Sequence, residues 1–295
     1  MNNKVFYQSN GGLGNQMFQY AIAKSIAINN DAKLFVDTES GHRSDKIFKR
    51  NFQLDHIEIN KASYFDLLSF RYSSVQRFFK KKYIPLIGNE NLLVIDERDH
   101  RYFHEDIGNI KIHLDQKILL RGYWQSEKYF KKNSEYIYND LKLNKSKNNK
   151  FLEISELIQK SNSVAVGIRM YEEVRGDKSF MGGVTNINYY NDAIKEISNQ
   201  ISNPIFFIFS TKNFPILREI ETNHKKFYLT PENGFDNPLE ILWLLSLCKN
   251  HIISNSSYYW WGAWLAEMNY KKSLIFAPNN FSNIDTVPDR WNIII

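Results

Sequence analysis

The chain has 295 residues, of which 43% are hydrophobic and 24% charged, so it can bury a large core and is not an intrinsically disordered protein. Lysine and arginine outnumber aspartate and glutamate by 38 to 32, and the net charge of +6 favours an anionic partner: a phosphorylated substrate, a nucleic acid or an acidic membrane. The single cysteine, Cys248, excludes an intrachain disulfide framework and a cysteine-rich zinc site. Because neither a signal-peptide core nor a membrane-spanning apolar run is found, we expect a cytoplasmic protein.

The first half of the chain begins with a strand, a glycine-rich turn and a helix. Val5–Gln8 predicts the strand, Ser9–Gly14 forms the turn, and apolar residues then recur at helical spacing as far as Ala27. Lys33–Val36 predicts the next strand, and Lys117–Leu120 a later one. This βαβ order indicates a parallel sheet.

A polar segment, Leu143–Lys150, is predicted to be a linker between two domains, residues 1–150 and 151–295. After it, strands and helices alternate regularly. Strands are predicted over 164–169, 205–210, 227–229, 251–254 and 274–276, and helices over 188–199, 238–247 and 257–269. Two such α/β halves would place a ligand at the carboxyl ends of their strands, in a cleft between the halves.

Several chemical motifs are absent from the sequence. The glycine turn is not a dinucleotide fingerprint, because Met17 stands where its third glycine is required, and neither a phosphate-binding P-loop nor a G-x-S-x-G motif occurs. The absence of Asp-x-Asp argues against a Mg²⁺ or Mn²⁺ site for a diphosphate, so we expect no metal. Cys248 lies in an apolar helical segment and is expected in the core rather than as a nucleophile.

The glycine turn is the first of three candidate binding segments. Gly12 and Gly14 precede a helix whose first backbone N–H groups and dipole attract anions, and Asn15 and Gln16 add two amides there. The alternative is a turn whose glycines only supply unusual dihedral angles.

The second segment follows an apolar strand that begins at Val164. Arg169 at the strand end could neutralise a leaving diphosphate through two parallel hydrogen bonds. Glu172, and after it Glu173, are candidates for a general base. The alternative is an ion pair on the surface.

The third segment joins a strand end to a helix start. Asn255, Ser256 and Ser257 can cap this helix or hold phosphate through their hydroxyls and N–H groups. Three tryptophans follow within five positions, Trp260, Trp261 and Trp264, and at least one of them should lie in the core.

These segments, in order, resemble glycosyltransferase family 11, the bacterial α-1,2-fucosyltransferases. The resemblance spans nearly the whole chain, and its opening and tryptophan-rich segments are highly specific. It rests on Gly11–Ala21, Gly122–Phe130, Phe206–Ser210, Ile252–Ser257, Trp260–Leu265, Pro288 and Trp291.

The resemblance implies a GT-B-like α/β fold with two Rossmann-type halves, GDP-fucose as donor, inversion at the fucose anomeric carbon and no metal or other cofactor. It implies a galactoside 2-α-L-fucosyltransferase acting on a bacterial surface oligosaccharide, an O-antigen or a capsule. The residues we expect to act are catalytic Arg169, Glu172 and Glu173; donor-binding Gly12, Gly14, Asn15, Gln16, Arg169, Asn255, Ser256 and Ser257; and acceptor-binding Tyr123, Trp124, Gln125 and Trp260.

The sequence departs from the family pattern at two places. The family's His-x-Arg-Arg-Gly-Asp segment falls on Gly167–Glu172, so that Gly167 replaces the histidine, only the first arginine stands, and Glu172 replaces the aspartate. Thr211 and Lys212 replace an Asp-Asp pair that commonly follows the Phe-Ser strand end. A non-catalytic or altered-specificity GDP-sugar or glycan-binding protein on the same fold is therefore the alternative.

Two further interpretations concern the basic charge. Arg71, Arg77 and Lys80–Lys82 could bring the chain to the anionic inner face of the cytoplasmic membrane, where lipid-linked acceptors are carried, although a solvated helix face explains them equally well. No nucleic-acid partner is expected, because the basic residues are dispersed and no RNA- or DNA-binding motif occurs.

Overall fold

Each half of the chain folds around a parallel β-sheet of its own. The computed structural model describes residues 3–43, 45–46, 48–68, 70, 91–97, 99–170, 184–270 and 272–294. The chain divides into unit 1, Met1–Leu141, and unit 2, Lys142–Ile295. The predicted α/β class with two Rossmann-type halves is thereby confirmed.

In unit 1 the described residues form a five-stranded sheet in the order β3-β2-β1-β5-β4, and every pairing is parallel. Helix α1 packs against β1 and β2, α3 packs against α1, and two short 3-10 turns precede α3. The elements are β1 (Lys4–Gln8), α1 (Leu13–Asn29), β2 (Lys33–Asp37), β3 (Asn60–Lys61), β4 (Leu92–Asp96), α2 (Glu105–Gly108), β5 (Lys117–Arg121), the 3-10 turns Glu127–Tyr129 and Lys131–Asn133, and α3 (Ser134–Leu141).

In unit 2 the described strands form a six-stranded sheet in the order β11-β10-β9-β6-β7-β8, again with parallel pairings throughout. The central strands are continuous apolar runs, as expected for strands that are covered on both faces. The elements are α4 (Asn149–Lys160), β6 (Asn162–Ile168), α5 (Ile187–Gln200), β7 (Pro204–Ser210), the 3-10 turns Pro215–Glu219 and Pro231–Asn233, β8 (Lys226–Leu229), α6 (Pro238–Leu247), β9 (Asn250–Ile253), α7 (Ser257–Asn269), β10 (Ile275–Pro278) and β11 (Asn292–Ile294).

The helices of unit 2 cover the sheet with residues at helical spacing. On α5, Tyr190, Ala193, Ile194 and Ile197 are buried against the strands, and the Asn186 side chain caps the helix by accepting a hydrogen bond from Tyr189 N–H. These side chains share one apolar cluster with residues of β6, β7, β9 and β10, and their burial fixes α5 on the sheet.

The segment predicted as a linker belongs to unit 2. The boundary between the units falls after Leu141, before the predicted position at residue 150. The Ser146 hydroxyl bonds the Glu240 carboxylate at the start of α6, and α4 packs against α6. A polar composition therefore marked the region of the boundary, but tertiary contacts assign the whole segment to the second unit.

Cys248 and His251 are fully buried in the core of unit 2. Burial raises the pKa of the Cys248 thiol, which agrees with its predicted place in the core. Burial also lowers the pKa of His251 to about 3, although its Nε2 lies 3.2 Å from the Cys248 carbonyl oxygen. His251 is therefore neutral in the folded chain near neutral pH.

Acid is expected to destabilise the chain through His251. The unfolded chain protonates this histidine near pH 6.5, so its contribution is complete above that pH and is lost as the pH falls toward 3, by about 1.4 kcal/mol per pH unit. Denaturant unfolding between pH 7 and pH 4 should show a smaller loss for His251→Leu than for the wild type, whereas the exposed control His113→Gln should keep the wild-type dependence. Equal slopes in all three proteins would contradict this assignment.

Candidate functional site

The carboxyl edge of the sheet in unit 2 carries a guanidinium and several hydroxyls. Arg169 is the first residue after β6, and its Nη1 donates a hydrogen bond to Thr211 Oγ1 at 3.3 Å. Thr211 is the first residue after β7, and Ile168 is paired with Ser210 where the two strands end. Strand pairing therefore places Arg169, Ser210 and Thr211 together. They lie at the carboxyl ends of parallel strands, where ligands bind in α/β sheets.

Ser210 has a buried hydroxyl at this edge. Its side chain is only 4% exposed, and its Oγ has no hydrogen-bond partner among the described residues. Leaving a buried hydroxyl unbonded is costly, so such a group is normally satisfied by water or a ligand. Ser210 was not among the predicted site residues, although its position at the end of an apolar strand was the signal that could have identified it.

The first turn of α7 lies next along this edge. Its N-cap Ser256 makes no side-chain capping bond, whereas asparagine side chains cap α4, α5 and α6. Ser256 and Ser257 are half-buried and stand at a helix N-terminus, which attracts anions.

Asn255 has a different task from the predicted one. It is 8% exposed, its Nδ2 donates to the Asn280 carbonyl oxygen at 2.7 Å, and its backbone N–H points at Thr185 Oγ1 at 3.4 Å. Because the side-chain amide is directed at the loop after β10, we reassign Asn255 from donor binding to holding that loop.

The glycine turn stands at the carboxyl edge of the sheet in unit 1. Gly11 has a φ of +72°, and a Cβ there would lie 2.7 Å from Asn15 Nδ2 and 3.2 Å from Tyr123 Cε1. Gly12 is the N-cap of α1 and has no side-chain capping bond. Gly11 therefore has a conformational reason to be glycine, because its dihedral angle is left-handed and neighbouring side chains lie close to it, whereas the approach of a ligand to Gly12 and Gly14 stays a prediction.

Asn15 joins the glycine turn to the segment that follows β5. Its Oδ1 accepts a hydrogen bond from Gln125 Nε2 at 2.8 Å. Gln19, which was not predicted, makes a second link, because its Nε2 donates to the Gly122 carbonyl oxygen at 3.1 Å. Two segments separated by a hundred residues in sequence therefore form one polar surface, on which Asn15, Tyr123 and Gln125 are half-buried.

Gln16 is fully buried and fully bonded. Its Nε2 donates to the carbonyl oxygens of Gly11 at 3.0 Å and Asn51 at 2.8 Å, and its Oε1 accepts from Gln53 N–H at 2.8 Å. We therefore reassign Gln16 from donor binding to fixing the loop at residues 51–53 against the glycine turn. Gly14 is buried within the first turn of α1 as well.

The Gly122–Gln125 turn is held by a carboxylate that was not predicted. Glu97, directly after β4, accepts hydrogen bonds from Tyr123 N–H at 2.6 Å and Trp124 N–H at 3.1 Å. Burial raises the pKa of Glu97 even though these two bonds favour the charged form. Trp124 has a φ of +56°, a conformation that is strained for a tryptophan, so the carboxylate supports an unfavourable backbone.

Two of the predicted acceptor residues are core residues instead. Trp124 is 1% exposed and packs edge-on against Tyr129, with ring centroids 5.6 Å apart. Trp260 has no exposed surface, donates its Nε1–H to the Thr286 carbonyl oxygen at 2.8 Å and packs on Trp291 at 5.4 Å. Because neither ring is accessible to a sugar, the structure corrects both assignments, which leaves Tyr123 and Gln125 as the accessible residues of that set.

A cation also lies beside the glycine turn. The Arg50 Nε is 3.6 Å from where a Cβ on Gly12 would stand, and the guanidinium carbon is 3.9 Å from the centre of the Phe48 ring. Nothing in the sequence pattern pointed to Arg50, because the loop that delivers it has no motif.

Removing the Glu97 carboxylate is expected to destabilise unit 1. Glu97→Ala leaves the Tyr123 and Trp124 N–H groups without their acceptor, at a cost of about 1–3 kcal/mol in the free energy of unfolding. Glu97→Gln should lose less, because its carbonyl oxygen still accepts one bond. Denaturant unfolding measures the change, and the exposed ion-pair control Glu39→Ala should cost less than about 0.5 kcal/mol. A Glu97→Ala protein as stable as the control would contradict the assignment.

Several predictions concern residues outside the described part of the chain: Glu172, Glu173, Arg71, Arg77 and Lys80–Lys82. Among the described residues, no group of three or more His, Cys, Asp or Glu side chains could hold a metal ion. Across those same residues, no helix has the length and apolar character needed to cross a lipid bilayer.

Two parallel α/β units with polar residues at the carboxyl edges of their sheets define a GT-B-like protein. The NodZ α-1,6-fucosyltransferase structure, soaked with GDP-fucose, shares this fold with a TM-score of 0.50 at 14% identity, over 89% of this chain and 93% of that one. The profile of Glycosyl transferase family 11 matches residues 4–288. The chain belongs to this family and is a glycosyltransferase.

Two curated relatives from Escherichia coli match nearly their full lengths. An alpha-1,2-colitosyltransferase is 27% identical over 95% of this chain and 95% of its own. The O-antigen biosynthesis glycosyltransferase WbnK is 25% identical over 95% of this chain and 97% of its own. Both similarities cover residues of both units, because each extends over 95% of this chain.

Proposed function

We propose that this glycosyltransferase moves L-fucose from GDP-fucose to a galactoside hydroxyl of a bacterial surface oligosaccharide, forms an α-1,2 linkage with inversion, and needs no metal. The proposal of a GDP-sugar donor is supported by Arg169, which lies at the end of β6. Arg169 is hydrogen-bonded to Thr211 and is adjacent to the buried Ser210 hydroxyl. A cation and hydroxyls at a parallel-sheet edge suit a diphosphate that no metal neutralises.

In the proposed reaction the acceptor hydroxyl oxygen forms a bond to the fucose anomeric carbon, while the bond from that carbon to the β-phosphate oxygen breaks. GDP leaves with the bonding electron pair, so negative charge grows on the β-phosphate. Arg169, with Ser256 and Ser257 at the start of α7, stabilises that charge more in the transition state than in the ground state. The acceptor proton passes to a carboxylate, Glu172 or Glu173, or to the leaving diphosphate.

The acceptor is proposed to bind at the edge of unit 1. Tyr123 is half-buried and offers an aromatic ring to a sugar, and Gln125 offers an amide that the predicted donor-binding residue Asn15 holds in place at 2.8 Å. Glu97 keeps Tyr123 in position by accepting a hydrogen bond from its backbone N–H.

The name of one relative supports a second donor. Colitose is L-fucose without its 3-hydroxyl, so a colitosyltransferase in the same family makes GDP-colitose the alternative sugar donor. A site that hydrogen-bonds the 3-hydroxyl rejects the deoxy sugar strongly, whereas an apolar pocket discriminates only weakly. The ratio of the two kcat/KM values therefore reports which kind of pocket is present.

The test is a donor and acceptor screen with the purified full chain. GDP-fucose, GDP-colitose, GDP-mannose and UDP-galactose are each offered with a panel of β-galactosides, with and without EDTA, and linkage is read by NMR on the product. The proposal expects an α-1,2-fucosyl product that EDTA does not affect. Transfer only from GDP-colitose would replace fucose, loss of activity in EDTA would overturn the metal-free mechanism, and tight GDP-sugar binding without any turnover would favour the binding-protein alternative.

Contact with the inner membrane face is proposed through Arg71, Arg77 and Lys80–Lys82, because a lipid-linked acceptor is carried there and basic clusters bind anionic lipids. Sedimentation with anionic vesicles should show binding at low salt that is lost at high salt. Failure to bind at either salt concentration would leave these residues as a solvated surface.

A further inference from the structure

Tyr259, the third residue of α7, occupies space that a side chain on β6 would otherwise need. Its ring is buried, with 3% exposed, and lies directly on Gly167. A Cβ added to Gly167 would lie 2.5 Å from Tyr259 Cδ1 and would also collide with Cγ. The Tyr259 ring therefore fits at this place only because position 167 is a glycine.

The Tyr259 hydroxyl joins the carboxyl ends of two strands. It lies 3.0 Å from the Phe209 carbonyl oxygen of β7 and 3.2 Å from the Ile168 carbonyl oxygen of β6, so its single proton is shared between two acceptors. These are the peptide groups directly before Ser210 and Arg169. The Gly167 carbonyl oxygen accepts from Ser254 N–H at 3.0 Å, so β6 is bonded on both sides where it ends.

A phenylalanine would fill the same volume as Tyr259, so packing alone does not account for the hydroxyl. A buried tyrosine hydroxyl is kept where it finds a partner, and here it finds two, both in the peptides that lead into the candidate site. Rotation of the peptide before Arg169 would swing the guanidinium away from Thr211, to which it is bonded at 3.3 Å.

We propose that Tyr259 is a positioning residue for this site. Its hydroxyl fixes the peptide groups before Arg169 and Ser210, and thereby holds the guanidinium and the serine hydroxyl where the departing diphosphate gains charge. The inference rests on the proposed function for its ligand, but the bridge between β6 and β7 stands independently of any ligand. Small displacements of oriented groups have large kinetic effects, so the loss of one hydroxyl should be measurable in turnover.

The test compares Tyr259→Phe with Tyr270→Phe. Tyr270 caps the opposite end of α7 and donates to the Leu247 carbonyl oxygen at 2.9 Å, so the control removes the same kind of bond away from the site. We expect kcat with GDP-fucose to fall about tenfold in Tyr259→Phe with less than a twofold change in KM, and to stay within twofold of wild type in Tyr270→Phe. Equal kcat values for the two variants would overturn the proposal.

A double variant separates positioning of Arg169 from a general structural role. If Tyr259 acts mainly through Arg169, Tyr259→Phe should lower kcat by much less than tenfold in an Arg169→Ala chain, because only the part that passes through Ser210 is left, whereas an independent structural loss would multiply in full. A second full reduction in the double variant would overturn the proposal.

Hydrogen exchange gives a readout that needs no substrate. Peptides covering residues 164–170 and 205–211 should exchange faster in Tyr259→Phe than in wild type or Tyr270→Phe, because the bridge between the strand ends is lost. If the wild type transfers no sugar but this exchange rises, the proposed function fails and the strand bridge is retained. If exchange is unchanged, the inference fails, whatever the activity of the wild type.

Discussion

An Arg169→Ala chain is expected to turn over GDP-fucose at least about 100-fold more slowly than the wild type while remaining folded. Arg169 is the described cation at the end of β6, and the residue is half-buried at the edge of the sheet rather than in the core. Removing one oriented donor from a growing negative charge typically costs two to three powers of ten in rate. Its loss should therefore lower kcat without unfolding unit 2.

Two further variants are expected to lower kcat less than Arg169→Ala does. Arg169→Lys keeps the charge but loses the planar fork that can make two parallel bonds to phosphate, so its kcat should fall between those of the wild type and Arg169→Ala. Thr211→Val removes only the acceptor of the 3.3 Å bond and should have the smallest effect. Steady-state kinetics and GDP binding by calorimetry measure the series, with thermal unfolding as the check on folding. Near wild-type kcat in Arg169→Ala would reject Arg169 as the group that stabilises the leaving diphosphate.

Replacing the catalytic base is expected to lower kcat by about 10² to 10⁴. Glu172 and Glu173 follow Arg169 by three and four positions in the chain, outside the described residues, and Glu172 is the first candidate because it replaces the family's aspartate. Glutamine is nearly isosteric with glutamate but cannot accept the proton. Glu172→Gln should therefore show the large loss, and Glu173→Gln a small one.

The pH dependence of kcat distinguishes the loss of a base from the loss of a binding contact. A base must be deprotonated, so the wild-type rate should fall on the acidic side, and this acidic limb should disappear in the variant that lacks the base. Glu196→Gln on the exposed face of α5 is the matched control and should leave both rate and profile unchanged. If both Glu172→Gln and Glu173→Gln keep full rate, the proton passes to another group or to the diphosphate itself.

Much of the architecture followed from local patterns. The helices predicted over 238–247 and 257–269 have those bounds in the structure, because Pro238 and the polar residues before each helix mark their starts. The strands predicted at 205–210 and 33–36 differ by a residue or less at either end. Continuous apolar runs between helices are a strong signal for the inner strands of a parallel sheet.

Other elements were not predictable from their sequence. β3 contains only Asn60 and Lys61, both exposed, and β11 lies near the end of the chain with two of its three residues exposed. Such edge strands exist because a neighbouring strand offers free backbone groups, and this partner is not encoded in the short segment itself. β4 (Leu92–Asp96) is apolar and was missed, although its place beside β5 is fixed by register over its whole length.

For the candidate site, the sequence by itself determined the order of the α/β elements, the glycine turn, Arg169 at a strand end and the family resemblance, because each depends on residues that are neighbours in the chain. Tertiary structure alone decided which polar or aromatic side chains are accessible. Gln16, Asn255, Trp124 and Trp260 look like binding residues in the sequence, yet each is buried and bonded by segments far away in the chain.

The same reason explains why the sequence did not predict two residues that support the site. Glu97 acts on Tyr123 and Trp124, and Tyr259 acts on the carbonyl groups of Ile168 and Phe209, across separations that sequence patterns do not record. Hydrogen bonding and burial are properties of positions in space, whereas periodicity and motifs are properties of the chain. The sequence therefore determines where the strand ends lie, and only packing determines which side chains support the site that they form.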